Sequence, residues 1–228
     1  METTTECKKF VLYLDIMGFK ERVNRIPIDE LKKQLLLFKT KNKKLQPLLI
    51  NKEKEAQIYM SQFSDSIILV TKGNTLNDLN RICKAAVILM QTALETGFAL
   101  RGVIANGEMV FDSDNQLFFG KALVDAYLLE EELNYYGVVF HESTEEEVFK
   151  ALNPLKPNSK YYPIEDTVIP LKKGKSKHYH IAWHKMDKKL HEGDMSDQAK
   201  KWLINMRKTV SGNPRVYLDN TINMITEK

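Results

Sequence analysis

Cysteine is scarce in this chain: 228 residues hold two, Cys7 and Cys83. They form no metal-binding or redox spacing, so a disulfide framework, a thiolate zinc site and a CxxC redox centre are all excluded. Cys83 falls in a helical pattern and reads as a small buried hydrophobe. Long apolar runs are missing too. No stretch approaches the ~20 residues that cross a bilayer, and the opening METTTECKKF lacks a signal-peptide core. A cytoplasmic location and no membrane partner are expected. A strong charge of one sign is also absent: 34 basic and 30 acidic residues leave +4. So mild a balance suits a small anionic ligand as well as nucleic acid. Aromatics do not interleave with the lysines, so no nucleic-acid partner is expected. There is no repeat and no low-complexity segment. With 43% hydrophobic residues, the chain supports one domain over 1–228, a core at about 8–150 and a C-terminal elaboration at about 151–228.

The stretch that is present in force is Lys8–Phe19, KKFVLYLDIMGF. Phe10, Leu12, Leu14 and Ile16 fall on one strand face; Val11 and Tyr13 share the other with Asp15. A strand apolar on both faces is central in a covered sheet. Asp15 sits where this strand should end. A carboxylate there needs hydrogen bonds, a cationic partner or a metal to offset desolvation. A plain helix N-cap would explain it equally well.

A second stretch, Ala56–Thr71, reads AQIYMSQFSDSIILVT. It predicts two strands joined by a tight turn at Ser64-Asp65-Ser66. Turn chemistry alone accounts for Asp65. Yet two aspartates at the ends of buried strands are also a way to build a hard-cation site. Mg²⁺ takes one or two carboxylates and leaves the rest of its shell to phosphates and water.

The remaining chain alternates helices and strands. Pro27 opens a helix whose apolar stripe is Leu31, Leu35 and Phe38 and whose end is rich in lysine. Thr75–Thr96 has helical periodicity, a Thr75/Asp78 capping box and a closing Gly97. Phe98–Asn106 is strand-like, with Arg101 directly before Gly102. Arg101 either snorkels at an edge or presents its planar fork to a phosphate. Met109–Phe111 and Gln116–Phe119 pair. Gly120 opens the helix GKALVDAYLLEEEL, and a glycine there lets backbone N–H groups approach an anion. Gly137–Phe140 is a strand, and Ser143 with Glu146 forms a second capping box. Lys160–Ile164 and Lys177–Trp183 are predicted strands, joined through Leu171-Lys-Lys-Gly-Lys, a loop able to reach a triphosphate. His178, His180 and His184 would share a face, as zinc ligands or as an exposed polar face. Ser196–Thr209 and Pro214–Ile225 are predicted helices.

The order is β-α-β-β-α-β with an added hairpin and a C-terminal elaboration, an α/β ferredoxin-like arrangement. Four segments, VLYLDIMGF, QFSDSIILV, LRGVIANGEMVF and LFFGKALVDAYLLE, carry a resemblance to the class III nucleotidyl cyclase catalytic domain. Within that superfamily, the RG before a strand and the G-x-A-x-x-x-A-Y-x-L-E after the hairpin look most like stand-alone bacterial pyrimidine cyclases of Pycsar antiphage systems.

The resemblance implies a site and a reaction. Asp15, Asp65 and the backbone carbonyl of Ile16 would hold two divalent cations, Mn²⁺ or Mg²⁺. The loop Ile16–Phe19 would cradle phosphates. A nucleoside triphosphate would yield a 3′,5′-cyclic nucleotide and pyrophosphate in a head-to-tail homodimer, and a separate effector would sense the product. The Asn and Arg that related cyclases carry in the helix after the glycine are replaced here by Val124 and Leu128. Arg101 or Lys121 could supply the missing charge. The residue that reads purines in relatives is Ser61 here, with Tyr59 on the same strand face. A neutral contact and a shortened pocket favour UTP, then CTP. The alternatives are a non-catalytic nucleotide-binding module, a purine cyclase, and a polymerase-like palm domain. The mild charge argues against the last.

Overall fold

The run that is apolar on both faces does become the middle of a sheet. The structure is a computed structural model and describes residues 8–49, 58–112, 114–152, 164–185 and 195–226. In chain order its elements are β1 (Lys8–Ile16), α1 (Phe19–Arg25), α2 (Ile28–Lys41), α3 (Gln46–Leu49), β2 (Ile58–Phe63), β3 (Ser66–Thr71) and α4 (Leu76–Glu95). They continue as β4 (Leu100–Glu108), β5 (Val110–Asp112), β6 (Leu117–Phe119), α5 (Lys121–Glu132), β7 (Val138–Phe140), α6 (Glu145–Leu152), β8 (Ile164–Leu171), β9 (Gly174–Ile181), α7 (Met195–Arg207) and α8 (Asn213–Thr226). Seven strands form one sheet in the order β2-β3-β1-β4-β7-β9-β8, and β5-β6 form a separate two-stranded arm. β1 is antiparallel to both neighbours, and β4 runs parallel to β7.

The strand alternation of β1 divides the core in two. Phe10, Leu12, Leu14 and Ile16 join α4 in the larger core, with Leu203 of α7 and Leu218 of α8. Val11 joins Val70, Val103 and Ala105 under Ala122 and Ala126 of α5. α4 begins as expected: the Thr75 hydroxyl accepts from Asp78 N, and Asp78 Oδ2 accepts from Thr75 N at 3.0 Å. Past its end, Gly97 takes φ +78, which costs a glycine little.

Three expectations are corrected. Ser143 is not a helix cap; its hydroxyl accepts from Asn106 N (3.0 Å) and meets His141 Nδ1, and a 3-10 turn capped by His141 leads into α6. β8 spans Ile164–Leu171 and so takes in polar residues past the predicted strand end at Ile164. It is the outermost strand, so its alternate side chains face water. The expected segment before Ile164 lies outside the described residues, as does Cys7. The histidines do not share a strand face: His184 follows the end of β9, and His180 and His184 are buried.

Candidate active site

Strand register builds the site in rows. On the α5 side of the sheet, Phe63, Ser66, Asp15 and Arg101 stand in one row across β2, β3, β1 and β4. Ser61, Ile68, Tyr13 and Val103 make the next row; Tyr59, Val70, Val11 and Ala105 make the third. Asp15 is therefore part of β1 and not a cap. α1 starts instead from Gly18, at φ +71, with no side-chain cap. Asp65 occupies the β2–β3 turn beside Ser64, whose φ is +54. The turn is tied to the end of β1, because Ile16 N donates to Asp65 O at 2.9 Å. Met17 N donates to Ala99 O at 2.9 Å and fixes the other side of the same loop. Asp15, Asp65 and the Ile16 backbone are thus brought together.

Burial pushes the Asp15 carboxyl up to about 6, with repulsion from Glu130 and Asp65 adding to it and Arg101 opposing it. Mutual repulsion of this kind is what a bound cation relieves. Among the described residues no group of three or more His, Cys, Asp or Glu could hold a metal ion. Asp15 and Asp65 are a two-carboxylate set. That set suits Mg²⁺ or Mn²⁺ arriving with phosphate oxygens, and it does not suit an all-protein cage.

Other expected site residues separate. Arg101 is not free for a phosphate. It is 6% exposed, its Nε donates to Glu130 Oε1, and its Nη1 donates to Leu133 O (3.0 Å) and Tyr217 Oη (3.3 Å). Lys121 lies at the far end of the sheet. The α5 N-terminus packs at Gly107, which pairs with Lys9, and Asp15 is six residues further along β1. At ~3.3 Å per residue that is about 20 Å. Lys121 is exposed and paired with Asp125 at 2.5 Å. Phe19 is half-buried and packs against the larger core. Tyr59 stacks on Phe111 (5.3 Å between centroids, 26°), and Phe111 meets Phe118 at 4.5 Å, so an aromatic wall stands below Ser61.

Two neighbours, Ser66 and Glu130, have no site role in the sequence reading. Ser66 stands directly beside Asp15, and its hydroxyl meets Tyr13 Oη at 3.0 Å. Glu130 is buried although two further glutamates, Glu131 and Glu132, follow it. The β8–β9 turn docks on the C-terminal end of α5, through Lys172 N to Glu132 O (2.8 Å) and Asn134 N to Pro170 O (3.0 Å). This leaves Lys172, Lys173 and Lys175 exposed there, with the Lys172 charge acting on Glu130. Phe63 is 85% exposed. Val110, Leu117 and Phe119 of the arm, with Val124 and Leu128 of α5, are exposed as well.

No protein-family model matches the sequence, and no curated protein does. Solved structures do. The guanylyl cyclase domain of a Blastocladiella emersonii fusion protein superposes with a TM-score of 0.53 at 16% identity, covering 77% of this chain and 94% of that one. The guanylate cyclase domain of RhGC from Catenaria anguillulae, in complex with GTP, gives 0.51 at 15% identity, covering 77% and 96%. A bacterial light-regulated adenylyl cyclase gives 0.53 at 9% identity, covering 93% of this chain and 57% of that one. The fold is that of the class III nucleotidyl cyclases. At these identities the likeness concerns the fold. No helix among the described residues is long and apolar enough to cross a membrane.

Proposed function

We propose that this protein is a nucleotidyl cyclase that converts a pyrimidine nucleoside triphosphate, UTP before CTP, to its 3′,5′-cyclic nucleotide and pyrophosphate. The observation that carries this reading is the pair Asp15 and Asp65 on a cyclase-type sheet, joined by the Ile16–Asp65 backbone bond. The ribose 3′-oxygen attacks the α-phosphorus, the bond from that phosphorus to the α–β bridging oxygen breaks to release pyrophosphate, and the 3′-hydroxyl proton passes to solvent. Asp15, Asp65 and the Ile16 carbonyl would hold two divalent cations, which supply Lewis-acid stabilisation of the 3′-oxygen and the triphosphate. The chain itself contributes orientation. The loop from Ile16 to Phe19 borders the phosphates. Lys172, Lys173 and Lys175 offer the positive charge that Arg101, held by Glu130, does not. Lys121, far from Asp15 in its own subunit, could serve only a partner's site.

Base choice follows from the neutral Ser61 above the Tyr59–Phe111 wall. A single-ring base fits a shortened pocket, and no charged side chain is there to read a purine edge. The named cyclases that share the fold are guanylyl and adenylyl cyclases, so the pyrimidine preference rests on these two residues and on the resemblance of the sequence. The exposed apolar residues of the arm and α5 support a homodimer, since a patch of this kind marks an interaction surface. A role in antiphage defence, with a separate effector reading the cyclic nucleotide, completes the proposal. A second reading, a nucleotide-binding module without turnover, is favoured by Val124 and Leu128 where relatives carry Asn and Arg.

Purified Asp15→Ala and Asp65→Ala proteins, assayed in saturating Mn²⁺, test the assignment. Each should lose turnover and keep the circular dichroism of the parent. Near-normal turnover in either removes that residue from the metal set.

A further inference from the structure

Asp15 and Arg101 are direct register partners on β1 and β4, on one face of the sheet. Side chains so placed have Cβ atoms ~5 Å apart, close enough for a guanidinium to close onto a carboxylate. No such ion pair forms; Arg101 is drawn instead to Glu130 of α5. Three groups hold it there. Glu130 Oε1 accepts from Nε, Leu133 O accepts from Nη1 at 3.0 Å, and Tyr217 Oη accepts from Nη1 at 3.3 Å. The Tyr217 ring also lies 5.6 Å from the guanidinium carbon.

Tyr217 belongs to α8, outside the sheet and α5. It is itself fixed, stacking on Tyr136 at 5.7 Å and 15°. α8 docks on the segment between α5 and β7 through further bonds. Tyr136 N donates to Thr221 Oγ1 at 2.8 Å, and Asn220 Nδ2 donates to Asn134 O at 2.7 Å. α8 therefore reaches the guanidinium of the residue that is the register partner of Asp15.

We propose that Glu130 and Tyr217 are positioning residues that hold the Arg101 guanidinium off Asp15, so that the Asp15 carboxylate stays open to a divalent cation. The inference rests on the reading of Asp15 as a metal carboxylate. A guanidinium and a metal ion compete for the same oxygen lone pairs, and a bidentate Arg–carboxylate pair is a strong competitor. Neutral loss of either holding group lets Arg101 close onto Asp15. Removing Arg101 together with Glu130 frees Asp15 again. Tyr217 acts here through its own contacts with Arg101, with no contact between α8 and the metal ligands required.

The test is Mn²⁺ titration of the purified full chain without nucleotide, read by the shift in melting temperature and by the free-Mn²⁺ electron paramagnetic resonance signal. Wild type against Asp15→Asn first establishes the site. Glu130→Gln should weaken Mn²⁺ binding about tenfold or more, and Arg101→Met/Glu130→Gln should return to within about threefold of wild type. Tyr217→Ala, which changes no charge, should weaken it about threefold. Asn220→Ala loosens α8 without touching Arg101 and should leave binding unchanged. Wild-type affinity in Glu130→Gln or Tyr217→Ala overturns the proposal. So does a double variant as weak as Glu130→Gln, or an Asn220→Ala loss equal to that of Tyr217→Ala. If Glu130→Gln does not fold, Tyr217→Ala and its control decide. If wild type and Asp15→Asn bind alike, the metal reading itself fails.

Discussion

Replacing Asp15 by Asn should stabilise the metal-free protein, and the size and pH dependence of the gain follow from the site. The folded-state carboxyl titrates near 6 against an ordinary 3.8, chiefly through burial, then through Glu130 and Asp65. Folding therefore favours the protonated form. The stability tied to that proton is fully present below the unfolded pKa and is lost as pH rises through the folded value. A shift of this size corresponds to about 3 kcal/mol at pH 8, or about 2 after allowing for the solvent that still reaches the half-buried group. Asparagine keeps the shape and removes the charge. For a domain of this size ~2 kcal/mol raises the melting temperature by roughly 4–8 °C. The assay is differential scanning calorimetry with chelator at pH 8 and pH 4.5. The gain should appear in full at pH 8 and fall to about half or less at pH 4.5. Added Mn²⁺ should then stabilise the parent and not the variant. A variant that is destabilised equally at both pH values would refute the electrostatic account of the site.

Other consequences are equally open to measurement. His184 is 2% exposed with neither ring nitrogen bonded among the described residues, and burial lowers its pKa to about 4. Its depressed value means that stability is intact above the ordinary 6.5 and falls as pH drops toward 4, by about 2–3 kcal/mol; His184→Leu should flatten that slope in urea melts at pH 7 and 4.5. Arg101→Met should cost about 3–5 kcal/mol by stranding buried Glu130, and Arg101→Met/Glu130→Leu should recover much of it. A Cβ on Gly102 would fall 2.3 Å from Tyr13 O, so Gly102→Ala should cost about 3 kcal/mol in the same melts.

Local signals in the sequence were faithful wherever local physics decides. The double apolar face of Phe10–Ile16 gave a central strand. Thr75, Asp78 and Gly97 bounded α4 within a residue. Asp15 and Asp65 were legible as a pair because each ends or joins an apolar strand. The misreadings are tertiary. Arg101 finds Glu130 and Tyr217 far along the chain, and nothing in FALRGVIAN announces that partnership. Lys121 looked available beside Gly120, but the direction of α5 puts it at the other end of β1. Ser143 and Glu146 had capping-box spacing, and Asn106 took the serine hydroxyl instead. β8 runs on to Leu171, past the predicted strand end at Ile164, because an outermost strand needs no apolar run.

The most direct measurement is the product formed by the purified protein with Mn²⁺ and an equimolar mixture of ATP, GTP, CTP and UTP, resolved by chromatography. The account predicts cyclic UMP as the main product, with cyclic CMP second and little cyclic AMP or cyclic GMP. Predominant cyclic AMP or cyclic GMP would contradict the Ser61–Tyr59 pocket, and no cyclic nucleotide from any of the four would contradict the cyclase itself.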